Sequence, residues 1–71
     1  MTDRYEARDI VVAAEDLIDT TTQRETSAKI ALSDATTLYY AGDYEAAYKR
    51  ALDSIRYSEG IAGETYQKFV R

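Results

Sequence analysis

Seventy-one residues, with nine basic against thirteen acidic side chains and a formal net charge of −4, make one small domain at most. The chain has no cysteine, histidine, tryptophan or proline, which excludes disulfides and thiolate chemistry and removes the commonest general base and transition-metal ligand. Its lysines and arginines are scattered, against the clustering that phosphate binding needs, so nucleic acid is not an expected partner.

No apolar run approaches the ~20 residues that cross a bilayer, so insertion of this segment into a membrane is not expected. The opening MTDRYEARD is acidic and polar, unlike a secretory or transit signal, and the expected location is the cytoplasm. A core drawn from so short a chain usually needs a staple or a partner.

The first helical pattern covers residues 3–20. Asp3 and Glu6 have the spacing of a capping box. Ala7, Ile10, Val11, Ala14, Leu17 and Ile18 recur at three and four, which gives one apolar face. Thr20-Thr21-Thr22 favours a break, because consecutive β-branched residues weaken a helix. Thr22-Gln23-Arg24-Glu25 then reads as a second capping box. The competing reading carries the apolar stripe through to Ala28 and fuses the first two helices into one rod.

The second helix is predicted over residues 23–41, with Ala28, Ala31, Leu32, Ala35, Leu38 and Tyr39 facing inward and Ile30 at the edge. Gly42 ends it, and Asp43 caps a third helix over residues 43–59. That helix presents Tyr44, Ala47, Tyr48, Ala51, Leu52 and Ile55 on one side. Gly60 is a second helix stop, and the Schellman arrangement expects Ile61 to fold back on Ile55 or Arg56. Residues 62–70 carry Tyr66, Phe69 and Val70 and fit a short fourth helix docked on the bundle, or the start of a longer one. The expected fold is all-α: an antiparallel three-helix bundle with room for a short C-terminal fourth helix.

Chemistry is sparse. Glu15, Asp16 and Asp19 are acidic neighbours, but calcium wants six to eight oxygens and a loop, so a solvated face is expected and no metal. The threonine run has no base beside it to activate a hydroxyl. Gly42, Gly60 and Gly63 do not have the spacing of a phosphate-cradling loop. No enzyme activity and no cofactor are expected.

The seven tyrosines are the unusual part. Tyr39, Tyr44 and Tyr48 are expected to fill a core otherwise built from alanine. Tyr40 and Tyr57 fall off the apolar stripes, as do Ile30 and Val12, and these four are the candidate protein-contact residues. The leading function is a non-catalytic protein-interaction or scaffolding module, acting on a protein partner or by self-association. The alternative is a small-ligand or regulatory sensor bundle, which would need a dry pocket between the hairpin and the first helix.

Three resemblances accompany this reading. Gly42-Asp43-Tyr44-Glu45, followed by Ala47, is similar to the turn of a tetratricopeptide hairpin, without a second copy or the closing proline. Residues 34–60 resemble a family of short archaeal helical proteins of unknown function. Over residues 13–70 the segments AAEDLI, LYYAGDYEAAYKRALDSI and SEGIAGETYQKFV resemble the family of the bacterial septation ring formation regulator EzrA. Leu17-Ile18, Asp43-Tyr44, Ala47, Tyr48, Ile55 and Glu59-Gly60 carry that likeness. The family's proline before the turn glycine is missing here, and so is its Asn-Arg-Tyr-Arg-type patch. The resemblance implies a spectrin-like helical segment of a cell-division regulator that binds other division proteins without catalysis.

Overall fold

The computed structural model describes residues 2–20 and 26–71. It contains four helices: α1 (Arg4–Thr20), α2 (Thr26–Ala41), α3 (Tyr44–Glu59) and α4 (Glu64–Phe69). The first three form a bundle in which α1 and α2 pack on α3 and on each other, and α4 adds a short layer outside.

α1 starts where its first turn is capped from both directions. The Glu6 N–H donates to Asp3 Oδ1 at 2.8 Å, and the Asp3 N–H donates back to Glu6 Oε1 at 3.4 Å. Two otherwise unpaired amides are thereby satisfied.

The predicted capping box at Thr22-Gln23-Arg24-Glu25 lies outside the described residues. The single-rod reading is nevertheless overturned. In one rod Ala14 and Ala35 would stand about 30 Å apart, at 1.5 Å per residue. Here they belong to one core cluster, so the chain reverses between α1 and α2.

The corner between α2 and α3 is a Schellman turn. The Gly42 N–H donates to the Tyr39 carbonyl at 3.1 Å, and the Asp43 N–H reaches the Leu38 carbonyl at 3.0 Å. Gly42 sits at φ +88°, which a β-carbon makes unfavourable by about 1–2 kcal/mol. Asp43 then caps α3 by accepting the Ala46 N–H at 3.3 Å. Turn and cap share adjacent residues, so the two helices meet with no slack.

The second glycine stop differs from the expectation. The Gly60 N–H donates to the Arg56 carbonyl at 2.8 Å, but Gly60 has φ +85° and ψ 170°, not the ψ near +47° of a left-handed cap. An extended ψ sends the chain away from α3. The Gly63 N–H then closes a turn on the Gly60 carbonyl at 3.1 Å. Ile61 is left at the tip of that turn, 63% exposed, and does not fold back on Ile55 or Arg56.

The core is small and rich in alanine. Ala7, Ile10, Val11 and Ala14 come from α1, Ala28, Ala31 and Ala35 from α2, and Ala47, Tyr48, Ala51 and Ile55 from α3. Leu17, Leu32, Leu52, Tyr66 and Phe69 pack half-buried around it. Ser54 is fully buried, a position no apolar stripe contains, and its hydroxyl donates to the Ala28 carbonyl at 2.8 Å. That bond satisfies the hydroxyl without water and pins the top of α3 to the start of α2.

Candidate protein-contact surface

Of the three tyrosines expected to fill the core, the structure buries Tyr48 and leaves Tyr39 and Tyr44 half-buried. Tyr48 is buried, and its hydroxyl donates to the Phe69 carbonyl at 2.6 Å. Tyr39 and Tyr44 are half-buried on either side of the Gly42 corner, with ring centroids 5.7 Å apart. Tyr40 is 81% exposed, and its ring stands edge-on to Tyr39 at 5.4 Å. Tyr40, Tyr39 and Tyr44 therefore form a short run of ring contacts around the corner, within the 4.5–7 Å range of favourable aromatic pairs.

Ile30 and Tyr40 lie on the same outer side of α2, about 15 Å apart along the axis. Ser33, Thr37 and Ala41 stand on that side as well, all exposed. Lys29 and Asp34 are the only charged residues of α2, and Asp34 is tied to Arg50 of α3 at 3.0 Å. Arg50 also reaches Asp53 at 3.1 Å; these bonds to Asp34 and then Asp53 strengthen its hold on its proton against the opposing effect of burial. The outer surfaces of α1 and α3 are far more charged.

The other two candidates do not join this face. Val12 is 44% exposed on α1, on a side it shares with Arg8, Asp9, Glu15, Asp16 and Asp19. Tyr57 is 39% exposed on α3, where the Arg56 guanidinium covers its ring at 4.8 Å.

One cluster was invisible in the sequence. Arg71 lies over the Tyr48 ring, its guanidinium carbon 4.0 Å from the centroid. It reaches Glu6 Oε2 at 2.6 Å and Glu45 Oε2 at 3.9 Å, and it donates to the Thr2 hydroxyl at 2.7 Å. The Thr2 hydroxyl in turn donates to Glu45. Thr2 is buried, although nothing in the local pattern marks it. No periodicity reports such a contact, because its partners come from opposite ends of the chain.

The Thr2 hydroxyl holds the Glu45 carboxyl below its ordinary value of 4.5; burial opposes this, and the charges of Arg71 and Lys49 add to it. A carboxylate with a depressed folded-state pKa stabilises the fold above its unfolded value, and that contribution is lost as pH falls through the folded one. Glu45→Gln should therefore lower the melting temperature at pH 7, and its gap from wild type should close as pH drops below about 4.5. A gap of constant size from pH 7 to 3 would show that the Glu45 charge does not act through Thr2 and Arg71.

Among the described residues, the surface carries grooves open to solvent. One, of about 320 Å³, is lined by Ala13, Asp16, Leu17, Thr65, Lys68 and Phe69, between α1 and α4. The other, of about 350 Å³, runs between α2 and α3 along Asp34, Thr37, Leu38 and Arg50. Neither is an enclosed site between the hairpin and α1; Ala14, Ala35, Tyr48 and Ala51 fill that space. Among the described residues no buried side-chain polar atom lacks a hydrogen-bond partner, and no three acidic, His or Cys residues converge as a metal site. No helix among them is long and apolar enough to cross a membrane.

No family model, curated protein or solved structure matches the chain.

Proposed function

We propose that this chain is a non-catalytic protein-interaction module whose contact surface is the outer side of α2 with the tyrosine cluster at its C-terminal end. The observation that carries this reading is Tyr40, 81% exposed and yet held edge-on by Tyr39. A tyrosine already positioned by ring contacts loses less freedom on binding than a free side chain. The rest of the face has the character of an interface centre: an exposed isoleucine, small side chains and little charge.

Its size points to the kind of partner. Sixteen residues make a face about 24 Å long and roughly 10 Å wide, on the order of 250 Å². A stable protein pair buries about 800 Å² on each side. A second copy or one helix of another protein covering only this face falls well short of that, so the face suits a weak or transient contact, and a single partner helix is matched to it in length. The EzrA-like spacing supports a narrower version, in which that partner belongs to a cell-division scaffold.

The test compares proteins recovered with the wild-type chain and with an Ile30→Ser/Tyr40→Ala double variant, using Val12→Ser as the control, with light scattering over a dilution series. The reading expects a monomer and a partner lost only from the double variant. Identical recovery from all three chains overturns it, and a dimer that persists at micromolar concentration replaces it with self-association. Recovery of division proteins supports the narrower version; their absence from the recovered set removes it.

A further inference from the structure

α4 has the properties of a ligand held by the rest of the chain. It is six residues long, none of them buried, whereas an isolated helix needs about 12–15 residues to hold itself together. It packs on α3 and faces α1 across an open groove, and Arg71 beyond it reaches Glu6 of α1. Tyr66 and Phe69, one turn apart, press on the core cluster from outside. On the α1 side the seat is only partly filled, and the open space of about 320 Å³ borders Leu17 and Phe69.

The polar contacts repeat the pattern of a recognised peptide. Tyr48 donates to the Phe69 carbonyl at 2.6 Å at one end. At the other, the Tyr66 N–H donates to Glu59 Oε1 at 2.9 Å; Gly63 makes room for that carboxylate, since a β-carbon there would lie 2.3 Å from the Glu59 side chain. Beyond the helix, Arg71 occupies a seat formed by the Tyr48 ring, Glu6, Glu45 and Thr2. A flat aromatic wall with carboxylates at its edge suits a planar guanidinium better than an ammonium. The connection to α3 carries Gly60, at φ +85°, Gly63 and an exposed Ile61.

We propose that the groove between α1 and α3 is a docking site for a short helical segment of a partner protein, one carrying two aromatic residues one turn apart and an arginine just beyond them, and that residues 64–71 occupy it in cis. The proposal shares the interaction class of the preceding section but uses a different face. A segment that keeps the groove closed 90–99% of the time weakens a competing ligand about 10- to 100-fold. The cis segment thus sets the threshold that a partner must exceed.

The probe is a fluorescein-labelled peptide with the sequence of residues 60–71, titrated into the full chain by fluorescence anisotropy. Phe69→Ala weakens the cis segment without touching the groove, and should bind the peptide at least ten times more tightly than wild type. Adding Glu6→Gln and Glu45→Gln to that variant should undo the gain. A peptide with lysine for its arginine should bind less tightly than the parent peptide.

Helicity is followed by circular dichroism. If Phe69→Ala does not fold, the exposed Arg71→Ala chain takes its place with the same expectations. A folded variant with no saturable binding, or with the affinity of wild type, overturns the proposal. Ile30→Ser/Tyr40→Ala combined with Phe69→Ala should bind the peptide as Phe69→Ala alone does, so this result stands or falls separately from the α2 surface.

Discussion

Ile55→Ala is expected to lower the melting temperature by roughly 8–40 °C, taking about 2–5 kcal/mol for the substitution and 4–8 °C per kcal/mol for a chain this small. The size follows from how little else the core contains. Ile55 and Ile10 are the large apolar side chains fully buried among the described residues, and the buried residues clustered with them are Val11, Ala14, Ala35, Tyr48 and Ala51. Ala14, Ala35 and Ala51 have no side chain to reach into the space an isoleucine leaves, so a cavity term adds to the lost burial.

Total stability for 71 residues is about 4–11 kcal/mol at 0.05–0.15 kcal/mol per residue. One methyl-rich side chain therefore carries a large part of it. A thermal melt followed at 222 nm checks this, and a fall below about 5 °C would mean that the bundle repacks around the gap. Tyr40→Ala, mostly exposed, should move the same melt little, as surface changes usually stay within about 0.5 kcal/mol.

Ala51→Leu should also destabilise, by about 1–3 kcal/mol, although it adds apolar surface. Area alone gives the opposite sign: three further buried methylenes would contribute about 2.4 kcal/mol at 0.8 each. Space decides against it. Ala51 has no exposed surface, and it shares the core cluster with Ala35 of α2. Ala31, Ala35, Ala47 and Ala51 are all fully buried, and side chains this small favour a close approach of α2 and α3. A leucine there forces the axes apart and loosens contacts along both helices. Urea titration should show a lower midpoint with an unchanged slope; a raised midpoint would show an unfilled space beside Ala51.

The features legible in the sequence were those set by neighbours in the chain. Asp3 with Glu6, and Gly42 with Asp43, marked helix ends because a cap is a contact over three or four residues. The inward positions of α1 and α3 followed from their spacing, since charged residues fill the opposite side. α2 was harder. With only Lys29 and Asp34 to mark its outside, its pattern separated Ile30 and Tyr40 from the core without saying that they share one face.

Ile61 was misplaced because a glycine stop identifies where a helix ends, not the ψ at which the chain leaves it. Arg71 and Thr2 were beyond reach for another reason: their meeting depends on the return path of the segment after Gly60, which no local rule encodes.

That meeting also fixes the shape of the chain as a path. With Thr2 and Arg71 hydrogen-bonded through their side chains at 2.7 Å, residues 2 and 71 lie at one corner of the bundle, within reach of one arginine side chain. A linker of a few residues could join residue 2 to residue 71, and the chain could be opened instead at the exposed Ile61–Ala62 turn without cutting a helix. The same proximity lets the bundle be spliced into a surface loop of a host protein, both junctions leaving from one corner. Glu45 of that corner follows directly on Tyr44, so any fusion made there stands beside the tyrosine cluster.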